Sequence, residues 1–346
     1  MKILKQVAGI DVAQKELVVS FGIVKDDLQA QILSSKTFKN TKEGFVTLIK
    51  WVKKLSDSQS NVHFVMEATG VYHESFAYFL DESGESVSIV LPNKISNYFK
   101  TLDVKTITDT TSAEAIARFG LERTLVLWKR PKPIFKSLRQ LTRERSQIVE
   151  ERTMVKNHLH AELSEAEPNE SSVTRIKDRI KLLDKQEKQV RSEITKRAQD
   201  PQVKDSITVM SSIPGIAVLT AATVLAETNG FELIRNKKQL TSYAGLDVKE
   251  KQSGTSVNGK SRISKRGNKH LRKALHMPAL ATIRFDPNFK TIYARIVARH
   301  GIKMKAAVAV HRKVLELMYT LYKKNEMYDK NYASKLVSQK RERQLL

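Results

Sequence analysis

"VAGIDVAQKELVVSFG" (residues 7–22) is an apolar stretch broken by one early acid, Asp11. Val7, Ala8 and Ile10 lead into it, and Leu17, Val18, Val19 and Phe21 follow a short polar break. The pattern predicts a strand, a tight turn and a second strand. A carboxylate facing a core costs several kcal/mol unless it is paired or binds a cation. Asp11 therefore either ends a strand or belongs to a site, and other residues must decide which.

The rest of the chain favours a site that meets a polyanion. Its 346 residues hold 61 Lys and Arg against 37 Asp and Glu, a formal charge of +24. Such an excess says little about fold but points to nucleic acid as partner. No run of 18 apolar residues exists, and Asp11 interrupts the N-terminus before a signal-peptide apolar region forms, so no membrane association is expected. The absence of cysteine excludes disulfides and thiolate zinc sites and fits a cytoplasmic protein.

Residues 1–128 read as an α/β domain with a mixed sheet. A third strand is expected over 31–40 and a helix over 41–55, with Phe45, Leu48, Ile49, Val52 and Leu55 on one face. A fourth strand, "NVHFVMEATG" (61–70), carries Glu67 near its end. A helix over 72–82, a strand over 86–92 and helices near 93–101 and 112–120 follow, the last with "TSAE" (111–114) as a capping box starting at Thr111. Pro131 and Pro133 mark a boundary. Residues 129–200 then form two polar helices with narrow seams, Leu138, Leu141, Ile148, Val155, Leu159 and Leu163 in one and Ile176, Ile180, Leu183, Val190 and Ile194 in the other. This is the pattern of an antiparallel coiled-coil arm, and its thin seam is expected to pack on a partner subunit. Residues 201–330 are mainly helical, and a charged tail, 331–346, closes the chain. "SSIPGIAVLTAATVLAE" (211–227) reads either as a helical hairpin offering amides to phosphate or as a buried helix with a capping turn.

A ribonuclease-H-like nuclease places one Asp on its first strand, an acid at the end of its fourth and further acids on a late helix. Two magnesium ions then clamp the attacking and leaving oxygens, held by hard oxygen ligands. Asp11, Glu67 and "KTITDTTSAEAIARFG" (105–120) occupy those places in that order. Here the chain resembles the DEDD-type insertion-sequence transposases, related to the Piv and MooV DNA invertases, whose first domain is RuvC-like. Their third block usually reads Lys-Thr-Asp-x-x-Asp-Ala before a helix. Aligning Ala113, Ile116 and Ala117 with that helix puts Asp109 on the third carboxylate and Ser112 on the fourth, beside Lys105. Glu114 is no substitute for the absent Asp, since it points about 140° away from Asp109 around a helix, against about 60° for Ser112. The resemblance thus implies Asp11, Glu67, Asp109 and Ser112 around Mg2+, with Mn2+ as a possible replacement.

The resemblance continues through "YAGLDVKEKQSGTSVNGKSRISKRGNKHLRKAL" (243–275), where it implies Ser253 as the nucleophile on DNA phosphate. Read alone, Ser253 is one of five serines between 242 and 264, an ordinary turn residue. Its surroundings suit phosphate chemistry: residues 260–276 hold four lysines, three arginines and no acid. Lys105, Lys260, Arg262, Lys265, Arg266, Lys269 and Arg272 are the expected nucleic-acid contacts. Activation by the first domain's carboxylates is what the family implies. The leading reading is a transposase or site-specific recombinase working through a phosphoserine link. Its implied partners are donor and target DNA, a structured noncoding guide RNA and further copies of itself, as dimer or tetramer. The rivals are a magnesium-dependent junction endonuclease using water, and a nucleic-acid-binding scaffold that has lost catalysis.

Overall fold

The computed structural model describes residues 2–332 except 59, 69, 103, 105, 233, 251, 254–256 and 259–261; of residues 252, 253, 257 and 258 it describes the backbone alone. The chain divides into two compact units, Met1–Arg130 and Pro131–Leu346.

The N-terminal unit opens with three strands, β1 (Ile3–Val12), β2 (Glu16–Lys25) and β3 (Ala30–Lys39), followed by α1 (Lys42–Leu55) and β4 (Val62–Glu67). Then come α2 (Glu74–Glu82), β5 (Ser86–Val90), α3 (Pro92–Phe99) and α4 (Asp109–Glu122). The sheet order is β3-β2-β1-β4-β5. The first three strands pair antiparallel, while β4 lies parallel to β1 and β5 parallel to β4. That order and those directions are the ribonuclease-H-like sheet expected from the sequence. Both faces of β1 are covered, so it reads as a nearly continuous apolar run. Ala8, Ile10 and Val12 pack with Phe45, Leu48 and Phe76 on one side. Val7 packs with Val65, Ile116 and Phe119 on the other.

Two details of this unit depart from the expectation. The strand expected to reach residue 92 ends at Val90, because Pro92 has no N–H to give a ladder and instead opens α3 at its first turn. The cap of α4 is Thr108 rather than Thr111. Thr108 and Thr111 satisfy each other, each hydroxyl accepting the other's backbone N–H, so the second threonine does what a glutamate does in the usual box. Asp109 thereby becomes the first residue of the helix, and Glu114 is left out of the cap.

In the C-terminal unit, α5 (Pro133–Leu163) and α6 (Glu170–Arg197) form the hairpin arm. It is followed by α7 (Lys204–Ser211), α8 (Val218–Thr228) and α9 (Lys237–Tyr243). Four two-residue strands come next: β6 (Val248–Lys249), β7 (Gln252–Ser253), β8 (Val257–Asn258) and β9 (Arg262–Ile263). They pair β6 with β9 and β7 with β8. The unit ends with α10 (Lys269–Phe285), α11 (Pro287–His300) and α12 (Lys303–Lys324). The arm's seam is buried at Leu138, Leu141, Ile148, Val155, Leu183, Val190 and Ile194, and it joins the same core as α8, α10 and α12. A facing surface for this part of the seam therefore exists within the chain. Leu163, expected in the seam, is exposed where α5 ends. Every residue of α8 from Thr220 to Thr228 is buried. The turn before α8 is pinned to α10, with Thr282 Oγ1 donating to the Pro214 carbonyl at 2.8 Å. A Cβ at Gly215 would lie 2.6 Å from the Thr282 nitrogen. The stretch is a buried helix with a packed turn, and with α7 before the turn the two helices form a hairpin.

Helix α4 comes against the sheet at Gly9, where an added Cβ would stand 2.2 Å from the Ala117 nitrogen and 2.6 Å from the Ala113 carbonyl oxygen. Backbone atoms cannot yield as a side-chain tip can. Gly9→Ala is therefore expected to destabilise the unit by about 3 kcal/mol, the upper part of the usual overpacking cost, as measured by urea unfolding. A loss below about 0.5 kcal/mol would show that α4 does not lie on Gly9.

Candidate active site

Parallel pairing decides where the acids go. Ile10 of β1 stands opposite Met66 of β4. The next residues, Asp11 and Glu67, leave neighbouring strands side by side on the same face. Ile10 and Met66 point into the α1–α2 core, so Asp11 and Glu67 point toward the α4 face. Helix α4 runs antiparallel to β1: a Cβ on Gly120 would meet Val7 and Val65, whereas Gly9 meets Ala113 and Ala117. Its first residue, Asp109, consequently arrives at Asp11. The N-terminal end of the helix, with its partial positive charge, faces the carboxylates.

Asp11 and Asp109 line one cavity of about 370 Å³, together with Gln14, Glu16 and Tyr72. The Asp11 carboxyl is pushed above its usual range, first by burial and then by the Asp109 charge, with the Val12 amide pulling the other way. Two like charges crowded at a partly buried spot are electrostatically uncomfortable without a cation. Among the described residues, no three Asp, Glu or His side chains converge tightly enough to form a ready metal cage. Ser112 is half-buried one turn into α4, and Glu114 is half-buried as well. Lys105 lies outside the described residues. Glu16 is the acid that sequence reasoning passed over. Asp11 pairs with Val18 across the hairpin, so by alternation Glu16 shares that face.

In the C-terminal unit, Ser253 belongs to β7, with its backbone paired to Val257 of β8. The expected basic contacts divide. Arg262, Lys265, Arg266 and Lys269 are exposed, while Lys260 lies outside the described residues. Arg272 is half-buried and donates to the carbonyls of Ala244 and Gly267, bracing the turn that precedes α10.

That turn has an anchor which sequence reasoning missed. Glu227, near the end of the apolar α8, is a buried acid with a side chain only 1% exposed. Arg143 of α5 grips it with two hydrogen bonds of 2.7 and 2.8 Å. Asn268 donates to it at 2.6 Å while capping α10 through the amides of His270 and Leu271. Tyr243 donates its hydroxyl to the Glu227 carbonyl. Burial raises the Glu227 pKa, but the Arg143 and Asn268 hydrogen bonds outweigh it and leave the carboxyl below its usual range. The available signal was a single acid closing an otherwise apolar helix.

Glu227→Ala should cost about 3 kcal/mol by denaturant unfolding, the low end for a broken buried pair, because Arg143 is 44% exposed and can turn to water. With its folded pKa lowered, Glu227 contributes stability above its unfolded value that is lost as pH falls through the folded one. Glu227→Gln should therefore flatten the acid side of the stability profile. An unchanged profile would remove Glu227 as the anchor.

A DEDD transposase family model of IS110 type matches residues 8–168. A model described as "Transposase IS116/IS110/IS902 family" matches residues 207–294. The pilin gene-inverting protein of Moraxella bovis is 29% identical over 332 residues, covering 94% of this chain and 98% of its own. The uncharacterized 43.6 kDa protein of insertion element IS110 from Streptomyces coelicolor is 31% identical over 121 residues, covering 35% of this chain and 30% of its own. Among solved structures, T. thermophilus RuvC in complex with a Holliday junction substrate covers 34% of this chain and 97% of its own at 14% identity, with a TM-score of 0.26. So low a score carries no weight, and the fold rests on strand order and direction.

Proposed function

The chain belongs to the DEDD-type insertion-sequence transposase family, and on that footing we propose that it cuts and rejoins DNA through a phosphoserine link at Ser253. The observation that carries the reading is the arrival of Asp11, Glu67 and Asp109 at one end of the sheet, beneath the start of α4. Crowded acids with hard oxygen donors fit a divalent cation, Mg2+ with Mn2+ as a replacement. Asp11, Glu67 and Asp109 would hold it, with Ser112 offering a neutral oxygen where the family usually has Asp. A cation bound there would supply charge neutralisation to a reacting phosphate.

The chain's own groups divide the remaining work. The Ser253 hydroxyl attacks phosphorus, its Oγ–P bond forms as a P–O bond of the DNA strand breaks, and the leaving oxygen takes up a proton. A second strand end reverses these changes and frees the serine. Lys265, Arg266 and Lys269 contact backbone phosphate, holding the strand in register without reading its sequence. The formal charge of +24 supports carriage of a structured guide RNA as well as donor and target DNA. A dimer or tetramer would supply one nucleophile to each strand. Among the described residues, no helix is long and apolar enough to cross a membrane.

The test uses plasmid DNA carrying the sequences that flank the coding region, with the flanking transcripts and Mg2+ present. Wild-type protein should leave a covalent protein–DNA adduct on denaturing gels, and Ser253→Ala should leave none. Asp11→Ala and Glu67→Ala should abolish cleavage with affinity unchanged within a few fold. Neutralising Lys265, Arg266 and Lys269 together should flatten the salt dependence of binding by up to about one log–log unit per lost phosphate contact. Nicking that persists in Ser253→Ala would mean that water is the nucleophile and overturn the serine reading.

A further inference from the structure

The C-terminal unit holds a cavity of about 520 Å³, in the size range of small-molecule sites. Leu246, Ile263 and Val308 wall it with apolar surface, and the exposed thioethers of Met277 and Met304 stand at its mouth. Ile263 pairs with Val248, so the cavity sits at the root of the β6–β9 ribbon from which the segment carrying Ser253 extends.

His276 and His311 bring imidazole rings to this apolar space. His311 of α12 is 4% exposed, and its Nε2 is buried with no hydrogen-bonding partner. His276 of α10 meets it edge to face, ring centroids 5.3 Å apart at 89°. Burial, and then His276, push the His311 pKa down to about 4, so its ring is neutral at pH 7 and has both a donor and an acceptor nitrogen. A buried imidazole nitrogen without a partner carries a desolvation cost, which a ligand's polar edge would recover. Arg272 also lines the cavity. Its guanidinium is bonded to two backbone carbonyls, and among the described residues no carboxylate pairs with it, so its charge is not offset. Lys273 lines the cavity as well but is paired with Glu150.

We infer that this cavity receives a single unstacked nucleobase, its polar edge on His311 and its phosphate on Arg272. The inference rests on the reading of the chain as a DNA recombinase, since strand exchange requires bases to leave the stack. Apolar walls, one neutral polar edge and a cation at the side match a nucleotide. An aliphatic peptide side chain would leave His311 and Arg272 unmatched, and free phosphate would make no use of the walls. The adaptable Met277 and Met304 suit a site that accepts more than one base.

The experiment titrates full-length protein with dAMP, dCMP, dGMP and TMP, following the imidazole resonances of His276 and His311. Deoxyribose 5-phosphate and inorganic phosphate serve as controls. At least one nucleotide should shift the His311 signals saturably and bind at least about tenfold tighter than the sugar phosphate. His311→Phe should erase that advantage, and so should Met304→Trp, which fills the mouth from an exposed position without touching the core. Equal binding of nucleotide and sugar phosphate, or binding indifferent to Met304→Trp, overturns the inference. Single-stranded DNA and RNA of one sequence, each carrying 2-aminopurine, identify the source. The strand whose fluorescence rises with wild type but not with Met304→Trp supplies the base, and no rise with either overturns the site. Nucleotide binding needs neither Asp11 nor Ser253, so the two readings fail separately. A normal covalent adduct without a base response condemns the cavity alone, and a base response without an adduct condemns the serine alone.

Discussion

Helix α4 lies with its backbone directly on Gly9 of β1, and much of the N-terminal unit follows from that contact. Gly9 has no Cβ to hold off Ala113 and Ala117, and Gly120 lets the same helix settle on Val7 and Val65. A helix held this closely, antiparallel to the strand, delivers its first residue to the strand's carboxyl end. Asp109 is that residue, and Asp11 is what it meets. The carboxylate in the middle of an apolar run thus has a physical account. Alternation turns it to the face of the sheet that α4 covers, where that helix begins.

The C-terminal unit depends on a different device, a buried charge whose partners come from several elements. Glu227 collects Arg143 from the arm and Asn268 from the cap of α10, while its carbonyl takes the Tyr243 hydroxyl. Because Asn268 both caps the helix and bonds the acid, the turn before α10 has little freedom. That turn presents Lys265 and Arg266, and Arg272 braces it from behind. Rigid presentation of cations lowers the entropy lost when a phosphate backbone docks. The arm adds its own ion pairs, Arg145 and Arg152 with Glu187 and Asp184, across a seam whose lower part belongs to the common core.

What the sequence revealed and what it hid separate by the range of the interaction. Period-two alternation revealed the opening hairpin, and the spacing of Phe45, Leu48 and Val52 revealed α1, because each signal lies within a dozen residues. The order of Asp11, Glu67 and Asp109 was legible because it follows chain order in a sheet of known kind. The cap of α4 was misplaced because two threonines serve each other where the familiar pattern has a glutamate. Leu163 fits a heptad yet is exposed, since a repeat does not say how far its partner surface extends. Glu16 was passed over because its membership of the site depends on strand register. Glu227 showed only as a lone acid closing an apolar helix, and its partners, like the His276–His311 pair, were hidden because they sit on helices far apart in sequence.

The central claim is that Asp11, Glu67 and the start of α4 hold a divalent cation, and the most direct test is crystallographic. Crystals of the full chain grown with Mn2+ would be measured at the manganese absorption edge for anomalous difference density. The account predicts a peak at bonding distance, roughly 2–2.5 Å, from carboxylate oxygens of both Asp11 and Glu67, with Asp109 beside it. Manganese bound elsewhere, with Asp11 and Glu67 left without it, would contradict the account.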